Sequence, residues 1–154
     1  MRTITSSIIV ERPIDEVFAF VTDARNNPLW QAASGLKEIR QEPASPVGVG
    51  ARITEVRDVM GQRTENSSEV TEYEPHSRYA RSQIGSSGPI TRGEYTFEEI
   101  PAGTRWLAVI HIQAGDGATP DEALFAADLQ RSVAVDMAAA KALLERRVVE
   151  NARS

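Results

Sequence analysis

The chain has 154 residues, a length that suits one domain burying about two thirds of the surface its unfolded form exposes. Its 17 Lys and Arg against 22 Asp and Glu give a formal charge of −5, so there is no basic excess to displace counterions from nucleic acid or to hold an anionic membrane. The absence of cysteine excludes disulfides, thiolate nucleophiles and thiolate metal sites, and no run approaches the roughly 18 apolar residues of a membrane helix.

Met1-Arg2-Thr3-Ile4-Thr5 has no apolar core, so no signal peptide is expected and a cytoplasmic location is. Thr3 to Val10 is rich in Ile, Thr and Val and predicts a strand, which Pro13 stops. Ile14, Val17, Phe18 and Val21 recur at the spacing of one helical face, and Asp23 is placed to cap a second short helix that Asn27-Pro28 interrupts or ends.

After Gly35 the period changes to strands and turns. Strands are predicted over Leu36 to Glu42, Ala51 to Met60, Arg63 to Tyr73, Arg78 to Ile84, Ile90 to Ile100 and Thr104 to Ala114. The breaks are Pro43 to Gly50, Gly61-Gln62, Glu74-Pro75-His76-Ser77, Gly85-Ser86-Ser87-Gly88-Pro89 and Pro101-Ala102-Gly103, and such short connections predict a mostly antiparallel sheet.

Thr119-Pro120-Asp121-Glu122 reads as a helix start: a threonine cap, a proline at the first helical position, and acids at the positive end of the dipole. Phe125, Leu129, Val133, Met137, Ala140, Leu144 and Val148 then form an apolar stripe at steps of three and four, predicting a helix to about Glu150 that spans about 45 Å. A helix of that length needs a broad surface to lie on, and a curved antiparallel sheet supplies one.

The stretch Ser7 to Asp23 followed by Trp30 resembles the amino-terminal signature of the polyketide cyclase/dehydrase group of the START-like, SRPBCC superfamily. Further matching pieces are Pro46-Val47-Gly48-Val49-Gly50, Glu69 to Pro75, Gly93-Glu94-Tyr95-Thr96-Phe97-Glu98 and Gly103-Thr104-Arg105-Trp106, so the resemblance covers nearly the whole chain. It implies an α+β helix-grip fold: a curved antiparallel sheet of about seven strands, two short helices after the first, and a long carboxyl-terminal helix across the concave face. It also implies an apolar cavity between sheet and helix.

Alternation places Trp106, Ala108, Ile110 and Ile112 on the inward face of the last strand, and Tyr95 and Phe97 inward on the strand before it. Trp30 stands where the family commonly has an aromatic at the cavity mouth; it is either a gate or a core anchor. Tyr79 and Arg81 share a face, and an inward Arg81 would bind a carboxylate or enolate oxygen through its planar fork, whereas an outward one would be solvated.

Glu55 interrupts the series Ala51, Ile53, Glu55, Arg57; inside an apolar pocket its pKa would rise and suit proton transfer, while past a bulge it would be a surface group. Asp136 and Ser132 flank the helix stripe beside Val133 and Met137 and point either into the cavity or to solvent. Arg81, Glu55 and Asp136 are thus the catalytic candidates. Trp30, Tyr79, Tyr95, Phe97, Trp106, Ile110, Ser132, Val133 and Met137 are the ligand-binding ones.

His76 and His111 stand apart and are expected to be structural, so neither a metal site nor a cofactor is expected. Gly85 to Gly88 lacks the lysine of a phosphate loop and reads as a hairpin over the cavity, and no nucleophile elbow occurs. Three functions fit. One is a carrier of a small hydrophobic molecule, another is a cyclase or dehydratase acting on such a molecule, and the third is a co-chaperone-like or toxin-like protein-interaction module. A monomer or homodimer is expected, with no nucleic acid partner and no membrane insertion.

Overall fold

The computed structural model describes residues 2–44, 47–59, 61–84, 90–113 and 121–153. The strands are β1 (Arg2–Val10), β2 (Leu36–Glu42), β3 (Arg52–Val59), β4 (Gln62–Glu74), β5 (Arg78–Ile84), β6 (Ile90–Ile100) and β7 (Gly103–Ile112). Helices α1 (Ile14–Thr22) and α2 (Asn27–Gln31) follow β1, each trailed by a 3-10 turn, Ala24–Asn26 and Ala32–Ser34, and α3 (Asp121–Arg153) comes last. The cap at Thr119-Pro120, the Gly85 to Pro89 hairpin, Pro46 and the strand ends at Met60 and Ala114 fall outside the described residues, as does the side chain of Val148.

The seven strands form one antiparallel sheet in the order β1-β7-β6-β5-β4-β3-β2. This is the helix-grip arrangement that the resemblance implies, with α3 across the concave face. Register shifts at Leu36/Glu38, Val70/Glu72 and Ile90/Arg92 insert an extra residue on one strand, which bends a sheet.

Local sequence accounts for the helical hairpin. The Pro13 carbonyl accepts from the N–H groups of Glu16 and Val17 at 3.1 Å, starting α1, and Val17, Phe18 and Val21 are buried on its inner face. Asp23 Oδ1 accepts from the Arg25 N–H at 3.0 Å and caps the first 3-10 turn. Asn27-Pro28 ends that turn and also opens α2, because a proline in the first helical turn gives up only an N–H that has no partner there.

Gly35 decides how this hairpin meets the sheet. Its φ of 102° is the left-handed conformation, and a Cβ there would lie 2.2 Å from the Asp58 carbonyl oxygen. The Asp58 N–H donates to the Gly35 carbonyl at 2.9 Å, so only glycine lets the end of the 3-10 turn lie against β3.

Helix α3 also guards the edge strand β1. Gln130 Nε2 donates to the Thr5 carbonyl at 2.7 Å, Lys141 Nζ to the Ile9 carbonyl at 2.8 Å, and Glu145 Oε2 accepts from the Glu11 N–H at 2.9 Å. An open edge is a template for pairing with another chain, and these side chains occupy it. On its inner face Met137, Ala140 and Leu144 join the main core with Val10, Val17, Phe18, Trp30, Ile53, Val70, Phe97 and Trp106. Toward the amino-terminal end of α3, Phe125, Ala126, Leu129 and Val133 pack against Ile4, Ile110 and Ile112.

Candidate functional site

Strand pairing brings the inward residues of the sheet's middle into rows. Tyr79 lies opposite Tyr95, and Tyr95 opposite Ala108; one step along, Arg81 lies opposite Gly93, and Gly93 opposite Ile110. Small residues in these rows leave space under α3. The result is a cavity of about 310 Å³ whose walls include Glu55, Arg57, Tyr79, Arg81, Tyr95 and Ile110 from the sheet and Leu129, Ser132, Val133 and Asp136 from α3.

The floor is charged. Glu55 Oε1 accepts from Arg81 Nη2 at 2.9 Å and Glu55 Oε2 from Arg57 Nε at 2.7 Å, and the Glu55 side chain is 13% exposed. Burial alone would raise the Glu55 pKa, but the charges of Arg81 and Arg57 and the hydrogen bonds they donate outweigh it and hold it at about 2. Arg57 reaches further: Nη1 donates to Ser34 Oγ at 3.3 Å and Nη2 to Gln31 Oε1, so its three nitrogens tie β3 to α2 and the turn after it.

Asp136 faces this cluster from α3. Ser34 Oγ donates to Asp136 Oδ2 at 2.8 Å, while Oδ1 is buried with no hydrogen-bond partner and the residue is 7% exposed. Burial raises its pKa to about 6, against the opposing pull of the Ser34 hydrogen bond and the Arg57 charge and with a small push from Glu55. Burial likewise pushes the Tyr95 hydroxyl up to about 12 and raises that of Tyr79, so both phenols stay protonated donors at neutral pH. The two rings stack at 6.2 Å.

A profile described as polyketide cyclase / dehydrase and lipid transport matches residues 1–148. The chain belongs to the polyketide cyclase/dehydrase family. No functionally curated protein sequence matches it. Among solved structures it is similar to the aromatase/cyclase Zhui from Streptomyces sp. R1128, with a TM-score of 0.73 at 20% identity over 96% of this chain and 95% of that one. It is also similar to TTHA0849 from Thermus thermophilus, with a TM-score of 0.77 at 13% identity over 95% and 99% of the two chains. The di-domain aromatase/cyclase StfQ from the steffimycin biosynthetic pathway gives 0.75 at 16% identity over 95% of this chain. The chain spans about half the length of StfQ, 52%. At these identities the likeness concerns the fold.

Within this family fold, the structure gathers eight of the expected residues at one cavity: Glu55, Tyr79, Arg81, Tyr95, Ile110, Ser132, Val133 and Asp136. It does not bring the other four to the cavity walls. Trp30 is 2% exposed and packs edge-on against Trp106 at 5.5 Å, so it is a core anchor and not a mouth residue. Phe97 stacks on Trp106 at 6.3 Å, and Met137 lies in the same core, because α1 and α2 cover that end of the sheet.

Two further expectations change. The cavity is not simply apolar, and the Glu55 pKa falls rather than rises because two guanidiniums face it. Arg57, Gln31 and Ser34 are the site residues that sequence reasoning missed. Arg57 had a signal, since it follows Glu55 in the same inward alternation; Gln31 and Ser34 had none. His76 packs edge-on against Phe18 at 5.9 Å, and His111 Nδ1 shares a hydrogen bond with Thr3 Oγ1 at 3.2 Å.

Proposed function

We propose that the chain binds a small, largely apolar molecule carrying carbonyl or hydroxyl oxygens, and acts on it by proton transfer as a cyclase/dehydratase-like enzyme. The observation that carries this reading is Asp136: a buried carboxyl with a pKa of about 6, in a cavity that also holds two protonated phenols and a paired arginine. A general base works best when its pKa lies near the working pH, and Asp136 meets that condition where Glu55, ionised down to about 2, does not.

The geometry supports a division of labour among these residues. Leu129 and Val133 on α3 and Ile110 on β7 would hold the apolar body of the substrate and exclude water. The Tyr79 and Tyr95 hydroxyls would donate to a carbonyl oxygen and stabilise the negative charge growing on it. Asp136 would take a proton from the carbon beside that carbonyl. The resulting enolate attacks a second carbonyl of the same chain, forming a carbon–carbon bond, and the alkoxide recovers the proton from Asp136. Asp136, ionised again, would then take the second proton from the same carbon and pass it to the new hydroxyl, which leaves as water as the carbon–carbon double bond forms. Folding two reactive ends of one molecule together in a confined space supplies much of the rate, so a fixed triad is not required. A volume of about 310 Å³ stands at the low end of small-molecule sites, which run about 300–1,000 Å³.

The test is native mass spectrometry of the purified protein together with thermal melts in the presence of oxygenated bicyclic aromatics and, separately, nucleotides. The reading expects a small apolar adduct and a melting temperature raised by the aromatics alone, since a ligand that binds only the folded state stabilises it by mass action. Stabilisation by nucleotides with every aromatic silent would overturn it.

A further inference from the structure

Resting on the reading above, we infer that the cavity selects a ligand whose inner end is an uncharged hydrogen-bond donor, a phenol or enol hydroxyl, and rejects a carboxylate of the same shape, with Asp136 Oδ1 as the acceptor that makes the choice. Two features of the floor support this. The first is an unpaired acceptor: Asp136 lines the cavity and is more than nine-tenths buried, its Oδ2 is taken by Ser34, and its Oδ1 has no partner. A buried acceptor without a donor is costly, and a ligand hydroxyl recovers that cost on binding.

The second feature is that the cations are already engaged. Glu55 sits between Arg81 and Arg57 and accepts from both, and the remaining Arg57 nitrogens are held by Ser34 and Gln31. A ligand carboxylate would have to compete with Glu55 for guanidiniums it already pairs, while standing against the ionised Asp136. Two arginines balanced by Glu55 and Asp136 leave the floor formally neutral at neutral pH, so it has no net positive charge to attract an anion. The groups around Asp136 are Ser34 from the turn after α2, Glu55 and Arg57 from β3 and Tyr95 from β6, with Tyr79 and Arg81 from β5 lining the same space.

The experiment compares 2-naphthol, 2-naphthoate and naphthalene by titration calorimetry at about pH 7.5, where the first is neutral and the second ionised. The inference expects 2-naphthol to bind at least about tenfold more tightly than 2-naphthoate. Asp136→Asn, which removes the charge and keeps the shape, should narrow that ratio to about threefold or less. In the wild-type protein the same ratio should shrink as the pH falls through about 6, where Asp136 takes up a proton while Glu55 stays ionised and Tyr95 stays protonated. That second measurement needs no variant to fold. Equal or tighter binding of 2-naphthoate, or a ratio indifferent to pH, would overturn the inference and leave the cavity reading standing. If none of the three compounds binds, both fall.

Discussion

The two ends of the space between sheet and α3 are built from the same alternating strands, yet one is dry and the other charged. At the dry end Phe18, Phe97, Trp30, Trp106 and Met137 interlock, with Phe18 to Phe97 at 5.2 Å and Trp30 to Trp106 at 5.5 Å. At the other end, Glu55, Arg57, Arg81 and Asp136 surround a cavity. Tyr95 marks the border: its ring meets Trp106 edge-on at 5.4 Å on one side and lines the cavity on the other. The difference teaches that the fold is closed by α1 and α2 at one end and left partly unfilled at the other, so the close-packed core and the charged cavity are separated along a single sheet.

Removing α3 would break both ends at once and gives the largest expected effect. A chain ending before Asp121 loses Met137 and Leu144, which are fully buried, together with Ala140 and the stripe from Phe125 to Val133. At about 1.5–3 kcal/mol per large side chain, the loss is of the order of the whole stability of a domain. Circular dichroism of that fragment should show no cooperative melt.

Substitution within each end sharpens the contrast. Trp106→Ala should cost about 3–5 kcal/mol by urea denaturation, as emptying a packed aromatic site does. That cost should not depend on pH or on salt. Glu55→Gln should cost a similar about 3–5 kcal/mol for a different reason: it leaves two buried guanidiniums facing each other without their carboxylate. Adding Arg81→Met to Glu55→Gln should return part of the loss, whereas the same addition to Trp106→Ala should deepen it. Equal responses in the two backgrounds would remove the distinction between the ends.

The pH dependence has opposite signs at the two carboxyls. Glu55 has a folded pKa of about 2 against an ordinary 4.5, so its contribution is full above 4.5 and is lost as the pH falls toward 2. Asp136 is raised from 3.8 to about 6, so the folded protein binds that proton more tightly than the unfolded chain does. Its contribution is full below 3.8 and is lost as the pH rises through about 6, leaving a net cost at neutral pH. Asp136→Asn should therefore raise the melting temperature at neutral pH and flatten the stability profile between about pH 4 and 6. An unchanged profile in that variant would place the titration elsewhere.

Much of the fold was legible because it rests on periodicity and punctuation, which are local. The stripe from Phe125 to Leu144 predicts α3, the alternation of Trp106, Ala108, Ile110 and Ile112 predicts the inner face of β7, and Asp23 caps the turn where it was expected. Alternation placed Tyr95 inward and Tyr79 on one face with Arg81, but it left Arg81 and Glu55 open between cavity and solvent, and strand pairing turned both to the cavity.

What sequence alone determined was therefore the family, the order of the elements and the alternation that sorts apolar side chains onto one face of a strand. Tertiary structure decided which of those inward residues meet. Phe97 carries the same inward alternation as Tyr95, but the docking of α1 and α2 buries it in the core with Trp30 and leaves Tyr95 beside open space. The sign of the Glu55 shift was decided in the same way. A carboxylate's pKa follows the charges around it, and Arg81 lies 26 residues away in sequence yet 2.9 Å away in space. The contact of Ser34 with Asp136 spans 102 residues and depends on Gly35 lying flat against β3 and on α3 crossing above it, a meeting of three elements that no local pattern encodes.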